Sequence, residues 1–303
     1  MVRAVVVGSM VADLAFHVPK RPGPGEVIIA AEFGSFRGGK GYNQAVALAR
    51  LGAEVTMVGA VGHDAYGDGF LKALEHEGID ARRVVQLRGV GTAVAVPLIT
   101  PDGEVGFVQY PGANHRLSPA HCAELPDCDV LLLQGEVTPA ASERAGKVIR
   151  GRGGIVVLSP APVHDVSPEM LAVATVVCPN EVEARALLAD VPGGPGEPDV
   201  SDGQAMARAL CTESRSSVVT LGAAGATWCD GTGSGAASSP QVQAVDTTGA
   251  GDSFCAALAV ALAEGSGYAE AVGFACGAGA HAATIRGAEP GLPTRAQIQA
   301  LLG

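Results

Sequence analysis

Short, nearly continuous runs of apolar residues recur along the chain and alternate with amphipathic stretches. The runs are rich in Val, Ile and Leu, which is typical of strands that are buried on both faces of a sheet. The strand candidates are residues 4–7, 55–58, 130–133, 155–158, 176–178 and 218–221. The helix candidates between them include residues 43–51, 67–77, 140–149 and 181–188. This order predicts βαβ units around a mostly parallel central sheet, an α/β fold.

Two segments interrupt this alternation. Residues 27–36 and 92–110 have the pattern of antiparallel strands, and the second turns at Asp102-Gly103, a dipeptide that favours hairpins. We predict a small β-sheet lid above the main sheet, contributed by about residues 15–37 and 90–111. The α/β pattern resumes after the Pro/Gly-rich residues 191–202, a predicted surface loop, and after the Gly/Ser-rich hairpin end at 231–240. Residues 1–303 are therefore expected to form a single domain.

Composition narrows the class of protein. The 303 residues are 48% hydrophobic and carry a net charge of −11, without a basic run longer than a pair, which argues against a nucleic-acid partner. Apolar stretches stay well below the length that crosses a membrane, and the run at residues 4–7 is too short for a signal-peptide core. The seven cysteines are scattered without repeated spacing. They argue against a disulfide framework and favour a cytoplasmic location.

The most informative stretch is residues 244–254, which reads Ala-Val-Asp-Thr-Thr-Gly-Ala-Gly-Asp-Ser-Phe before a small-residue helix at 255–263. Gly249, Ala250 and Gly251 at a helix start would leave backbone N–H groups exposed, and the helix dipole adds partial positive charge there. This pattern predicts an anion hole for a phosphate group that gains or shifts charge.

Asp252 falls in the first turn of this predicted helix, beside the anion hole. In phosphoryl transfer a carboxylate orients the attacking hydroxyl group and accepts its proton. We expect the helix N-terminus to keep Asp252 ionised, as a weak base. An aspartate at this position can also serve only as a helix cap, but a cap does not account for the Gly-Ala-Gly approach or for Asp246. The stretch predicts transfer of the terminal phosphate of ATP to a hydroxyl group of a small polar metabolite.

Two other nucleotide-binding motifs are excluded by their missing residues. Residues 34–40 nearly spell a P-loop, but Gly41 stands where a Mg²⁺-binding Ser or Thr is required. A dinucleotide-binding fingerprint needs three glycines after the first strand, and only Gly8 is present there.

Residues 246–254 resemble a signature of the ribokinase-like (PfkB) carbohydrate kinases, and residues 38–45, Gly-Gly-Lys-Gly-Tyr-Asn-Gln-Ala, resemble a second signature. Further family motifs follow predicted strands in the family's order: Gly8-Ser9 with Asp13, Gln134-Gly135-Glu136, and residues 159–162, 179–181 and 220–225. The resemblance therefore runs nearly the whole chain. It implies a three-layer α/β/α fold with a small lid, and an ATP-dependent kinase that acts on a sugar hydroxyl.

The resemblance also implies residue roles. The residues that match sugar-binding positions are Asp13, Gly39, Lys40, Asn43 and Glu136. Asn180 and Glu183 match an Asn-x-x-Glu pattern linked to Mg²⁺ and phosphate placement. The nucleotide-binding matches are Thr220, Gly222, Gly225 and Gly251, while Gly249, Ala250 and Gly251 match the anion hole and Asp252 the catalytic base.

A monovalent cation, K⁺, is implied beside the anion hole, where it would shape the loop without touching substrate. The matching positions are Asp246, Thr248, Ala282, Ile285 and Gly287, mostly through carbonyl oxygens. Because a lid with an exposed sheet face can pair across a two-fold axis, a homodimer is expected.

The sequence departs from the common family pattern at Val11, Tyr42, Ser159 and Gly291. Val11 stands where many bacterial members carry Asn, and valine cannot bind a sugar hydroxyl. D-ribose, converted to D-ribose 5-phosphate, is the leading acceptor. A nucleoside, a fructose-type sugar, 2-keto-3-deoxygluconate and inositol remain open, as does a non-catalytic sugar- or nucleotide-binding protein on the same fold.

Overall fold

The computed structural model describes residues 1–102, 104–189 and 202–303. The strands in these ranges are β1 (Arg3–Val7), β2 (Val11–His17), β3 (Glu32–Gly38), β4 (Glu54–Gly62), β5 (Asp80–Leu87), β6 (Ala93–Ile99), β7 (Val105–Tyr110), β8 (Val130–Gln134), β9 (Ile155–Ser159), β10 (Val176–Val177), β11 (Ser216–Thr220), β12 (Ala226–Cys229) and β13 (Ser234–Ala237). The helices are α1 (Lys40–Arg50), α2 (Ala65–His76), α3 (Pro139–Arg150), α4 (Pro168–Val173), α5 (Glu181–Ala189), α6 (Gly203–Leu210), α7 (Ala250–Ala263), α8 (Tyr268–Ala283), α9 (Ala288–Gly291) and α10 (Arg295–Leu302).

Nine strands form the main sheet, in the order β13-β12-β11-β10-β9-β8-β1-β4-β5. The strands from β11 to β5 run parallel, while the β12–β13 hairpin adds an antiparallel edge. Side chains alternate between the two faces: Ala4 and Val6 join the core beneath α1, α7 and α8, and Val5 and Val7 join the core beneath α3. The predicted α/β/α layering and mostly parallel sheet are confirmed.

The order of the sheet reverses direction at β1, which lies between β8 and β4. The chain builds β4 and β5 on one side of β1 and then crosses to β8 on the other. Ligands of open α/β sheets bind at the carboxyl ends of the strands beside such a reversal. Ser9 follows β1 and Glu136 follows β8, so the fold brings these two residues to that crevice.

A second sheet of four strands has the order β3-β2-β6-β7. Residues 92–110 form the two predicted antiparallel strands, although Gly103, and with it the Asp102-Gly103 turn, lies outside the described residues. The strand predicted at 27–36 begins only at Glu32 and ends at Gly38. The alternation pattern missed β2, which completes this small sheet, and the edge strand β5 with its charged residues.

The sequence also predicted two loop segments and no membrane-spanning helix. The hairpin end predicted at residues 231–240 runs from the β12–β13 turn through strand β13 itself to Pro240, while nearly all of the predicted loop at 191–202 falls outside the described residues. None of the helices in the described part of the chain is long and apolar enough to cross a bilayer.

Candidate active site

The start of α7 presents free backbone amides. Gly249 precedes the helix with φ of 79°, a left-handed conformation that favours glycine, and no atom lies within 4 Å of the position a Cβ on Gly251 would take. The Ala250 N–H donates to the carbonyl oxygen of Thr247 at 3.1 Å. Among the described residues the amides of Gly249, Gly251 and Asp252 have no acceptor. In this structure the Ala250 N–H is therefore not free to meet an anion, whereas the Asp252 N–H is.

Asp252 is buried, with 7% of its surface exposed. Its two carboxylate oxygens accept hydrogen bonds from Asn43 Nδ2 at 2.9 Å and from Gln44 Nε2 at 3.0 Å. Burial raises the pKa of Asp252 above its ordinary value, and the charge of Lys40 and the two amide donors only partly oppose this. The helix N-terminus favours the ionised form of Asp252, as we expected, while burial shifts the pKa of this carboxyl group in the opposite direction.

Lys40 and Glu136 lie beside Asp252. The Lys40 backbone N–H donates to Glu136 Oε2 at 2.9 Å, and the Ser9 hydroxyl donates to the same oxygen. Burial alone would lower the pKa of the Lys40 ammonium group, but the neighbouring carboxylates, led by Asp252 and Glu136, outweigh burial and raise it. The site therefore holds a stable cation among carboxylates.

Asp13 approaches the same crevice from β2 of the small sheet. Burial, with a smaller effect of Glu136, raises the pKa of Asp13 to about 7. A Cβ on Gly38 would lie 2.1 Å from Asp13 Oδ2, so glycine is required there to admit the carboxylate. Asp13, Ala95 and Gln109 are paired in register on neighbouring strands, and their side chains share the face that looks into the crevice.

These residues enclose a cavity of about 410 Å³, a size typical of small-molecule sites. The predicted site residues that line it are Asp13, Gly39, Lys40, Asn43, Glu136, Asn180, Glu183, Thr220, Thr248, Gly249, Gly251 and Asp252. One cavity thus brings together all the predicted sugar-binding residues and the predicted base.

A second cavity of about 240 Å³ adjoins the first on the other side of the α7 N-terminus. The predicted nucleotide-binding residues that line it are Thr220, Gly222, Gly225 and Gly251, and Ala250 lines it too. Thr220, Thr247 and Gly251 line both cavities. The free amides at the start of α7 therefore lie where the two cavities meet.

Asn180 and Glu183 form a reciprocal pair at the start of α5. The Asn180 N–H donates to Glu183 Oε2 and the Glu183 N–H donates to Asn180 Oδ1, each at 2.9 Å. This is the geometry of a capping box, so both side chains have a helix-capping contact. Glu183 Oε1 has no hydrogen-bond partner among the described residues and remains available in the first cavity.

The predicted cation positions lie in the loop before α7 and at the end of α8 with the turn after it, and Asp246 joins the two regions. Asp246 Oδ1 accepts from the Thr248 N–H and hydroxyl at 2.9 and 2.6 Å, and Oδ2 accepts from the Gly287 N–H at 2.8 Å. Burial raises the pKa of Asp246, but these donors outweigh it and hold the pKa below its ordinary value. Asp246, Ala282, Ile285 and Gly287 line neither cavity. Asp246 therefore connects the loop before α7 to the turn after α8.

Sequence reasoning gave no role to several residues at the site: Ser9, Gln44, Phe107, Gln109, Gln134 and Thr247. Ser9, Gln44 and Gln134 are fully buried polar residues. Gln134 was named only as part of a motif, although a glutamine that ends an otherwise apolar strand has a polar group to satisfy.

Comparisons with known proteins agree with this arrangement. A model of the pfkB family of carbohydrate kinases matches residues 1–295, and the chain belongs to that family. A ribokinase of Bacillus subtilis is 35% identical over 303 residues, with 98% of each chain covered. The crystal structure of a ribokinase from Thermotoga maritima matches with a TM-score of 0.87 at 30% identity, covering 100% of this chain and 99% of that one.

A further neighbour is the structure of the Arabidopsis thaliana ribokinase complexed with ribose and ATP. It has a TM-score of 0.87 at 30% identity and covers 99% of this chain and 98% of that one. The predicted fold and the predicted enzyme class, a carbohydrate kinase, are confirmed.

Proposed function

We propose that this chain transfers the terminal phosphate of ATP to D-ribose and forms D-ribose 5-phosphate. The observation that carries the proposal is the meeting of the two cavities at the α7 N-terminus, with the Asp252 carboxylate in the cavity that also holds Asp13. A sugar in the first cavity and a nucleotide in the second would place the migrating phosphoryl group at the free amides. The relatives named ribokinase, one of them solved with ribose and ATP, support this choice of substrates.

In this proposal Asp252 accepts the proton of the attacking hydroxyl group, and the free amides stabilise the charge of the phosphoryl group in transit. Lys40 adds a positive charge within the same cavity. Asp13 and Glu136 accept hydrogen bonds from sugar hydroxyl groups, each of which needs a partner when it is buried. Asn43 holds the base by its Nδ2 and lines the sugar cavity.

Mg²⁺ would be held with the nucleotide phosphates near Glu183, whose free carboxylate oxygen is the kind of ligand that Mg²⁺ prefers. When bound, it would neutralise phosphate charge. K⁺ would be held in the loop of Asp246 and Thr248 together with the turn of Ala282, Ile285 and Gly287, whose carbonyl oxygens suit a monovalent cation. The hydrogen bonds that Asp246 accepts hold the loop before α7 in this conformation.

We propose that the four-stranded sheet is a lid on a single domain of residues 1–303, and that it closes over the sugar to exclude water. Its far face bears Phe16, Phe33, Val96 and Val108, and Phe33 and Val108 are 60% and 66% exposed. An exposed apolar sheet face of this kind favours a homodimer. All seven cysteines are free thiols, which fits a reducing cytoplasm.

A coupled assay of ADP release across pentoses, hexoses, keto acids, inositol and nucleosides tests the proposal, with the product identified by mass and by ³¹P NMR. We expect D-ribose to give the highest kcat/KM and a phosphate on its primary hydroxyl. Efficient phosphorylation of another acceptor with little turnover of D-ribose would overturn the substrate. ATP or sugar binding without ADP release for any acceptor would instead favour a non-catalytic binding protein.

A further inference from the structure

Two buried glutamines connect the centre of the main sheet to Asp252. Gln44 Nε2 donates to Asp252 Oδ1 at 3.0 Å, and Gln134 Nε2 donates to Gln44 Oε1 at 2.7 Å. Both glutamines have 0% of their surface exposed. The chain of hydrogen bonds therefore runs from the end of β8 through α1 to α7, and its two glutamines have no contact with water.

The carboxylate fixes the orientation of both amide groups. An ionised carboxylate only accepts hydrogen bonds, so Gln44 must turn its Nε2 towards Asp252 and its Oε1 towards Gln134. Gln134 must then present its own Nε2 to Gln44. Each amide has one orientation compatible with the others, and an ionised Asp252 is the group that selects it.

This arrangement leaves a buried oxygen unsatisfied. Gln134 Oε1 has no hydrogen-bond partner among the described residues, and a Cβ on Gly8 would lie only 2.1 Å from it. Burying an acceptor without a partner destabilises the fold, and an apolar side chain of similar size would avoid that cost. The two glutamines nevertheless give Asp252 a second hydrogen-bond donor, Gln44 Nε2. It binds Oδ1, the carboxylate oxygen to which Asn43 does not donate.

Given the proposed kinase function, on which this inference rests, we propose that Gln44 is a positioning residue. It holds the Asp252 carboxylate in the orientation that receives the acceptor's proton, and Gln134 acts through Gln44 by fixing its amide.

The charges around Asp252 define what a change at Gln44 would do. Burial raises the pKa of Asp252, while Lys40, Asn43 and Gln44 lower it and Glu136 raises it. The other titratable groups that line the cavity are Asp13, Cys178, Glu183 and Cys255. Removing the Gln44 donor leaves all of these in place and takes away one contact that stabilises the ionised form. The pKa of Asp252 should then rise further.

The test is the pH profile of kcat, at saturating D-ribose and ATP, in Gln44→Met, Gln134→Met and the double variant, since kcat reports the groups of the bound complex. Methionine keeps the length of the side chain without an amide donor. For Gln44→Met we expect the acid limb to move up by about one pH unit, so that turnover at pH values below the limb falls roughly tenfold, since a hydrogen bond to a charged group is lost. Activity should recover as the pH is raised, with KM for ATP unchanged. Gln134→Met should shift the limb less, and the double variant should match Gln44→Met.

Gln86→Met is the matched control, because Gln86 Nε2 also donates to a carboxylate, Asp68 Oδ1 at 2.8 Å, on the exposed surface. Its profile should coincide with that of the wild type. An acid limb at the wild-type pH in Gln44→Met, with thermal unfolding confirming a folded protein, would overturn the inference. If Gln44→Met does not fold, the acid limb of Gln134→Met is used instead, and a limb at the wild-type pH would again overturn the inference. A wild-type enzyme without turnover of any acceptor would instead refute the proposed function.

Discussion

At the scale of single residues, the site holds Asp13 and Asp252 in surroundings that disfavour their charge, next to the cation of Lys40. Burial is the largest cause of the raised pKa of both carboxyl groups. A base needs a pKa that is not too far below the working pH, so the burial of Asp252 makes it a stronger base than an exposed aspartate. The same burial makes both charges a cost to the stability of the empty enzyme.

The pKa of Asp13 predicts how stability depends on pH. The ordinary pKa of 3.8 applies to the unfolded chain, whereas the folded value is about 7. Between these values the folded state binds more protons than the unfolded state, so the free energy of unfolding falls as the pH rises through this window. Asp13→Asn removes this loss of stability at higher pH, because asparagine does not ionise. We expect the variant, without sugar, to be more stable than the wild type at about pH 8, and to lose this advantage at about pH 4.

Urea unfolding at the two pH values measures this difference. Glu213→Gln is the control, since Glu213 is exposed and its charge change should alter stability little at either pH. An Asp13→Asn variant with the same unfolding free energy as the wild type at the higher pH would contradict the burial assigned to this carboxylate.

At the scale of elements, the loop before α7 depends on Asp246. Its two oxygens accept three hydrogen bonds that tie Thr248 to Gly287, so the loop that presents the free amides is fastened to the turn after α8. A bound K⁺ would act on this same loop. We predict that turnover is higher in K⁺ than in Na⁺, and that Asp246→Ala lowers turnover and removes the difference between the two salts.

Steady-state rates in matched KCl and NaCl check this prediction. Asp230→Ala is a close control, because Asp230 Oδ1 accepts the same kinds of hydrogen bond, from the Thr232 N–H and hydroxyl, in the distant β12–β13 turn. That variant should keep its response to K⁺. Equal wild-type rates in the two salts would remove the cation site from the account.

At the scale of the whole molecule, one face of the small sheet lines the first cavity and the other is exposed. Phe107 and Gln109 of β7 line the first cavity, so Val108 between them points to the opposite, exposed face. If that face forms the homodimer, Val108→Arg should place a charge in the interface and give a monomer.

Sedimentation velocity distinguishes the two states. Val182→Arg is the control, because Val182 on α5 is 76% exposed and is not part of the small sheet. The control should keep the mass of the wild type. A wild-type chain that sediments as a monomer would exclude the proposed dimer.

The sequence predicts those features that depend on residues close to one another along the chain. The α7 N-terminus and Asp252 in its first turn were predicted because glycines, dipole and carboxylate lie within four consecutive residues. The parallel sheet was predicted because its strands are continuous apolar runs, whereas β5, with Asp80, Arg82 and Arg83, has no such run.

Features that depend on distant contacts were not predicted. Asp252 meets Gln44 across 208 positions of sequence, and Gln44 meets Gln134 across 90. The rise in the pKa of Asp252 follows from burial by those same elements, and a helix-dipole argument made from one segment cannot include it. The hydrogen bond that the Ala250 N–H donates likewise depends on the conformation of the turn at Thr247.

The most direct test of the account compares the turnover of D-ribose and ATP by the wild type and by Asp252→Asn, with ATP binding measured on both. Asparagine keeps the shape of the side chain but cannot accept the proton. We predict that ATP binding and thermal stability are retained while kcat falls by about 10²–10⁴-fold. Turnover near the wild-type rate in a folded Asp252→Asn variant would contradict the role of Asp252, on which the proposed mechanism rests.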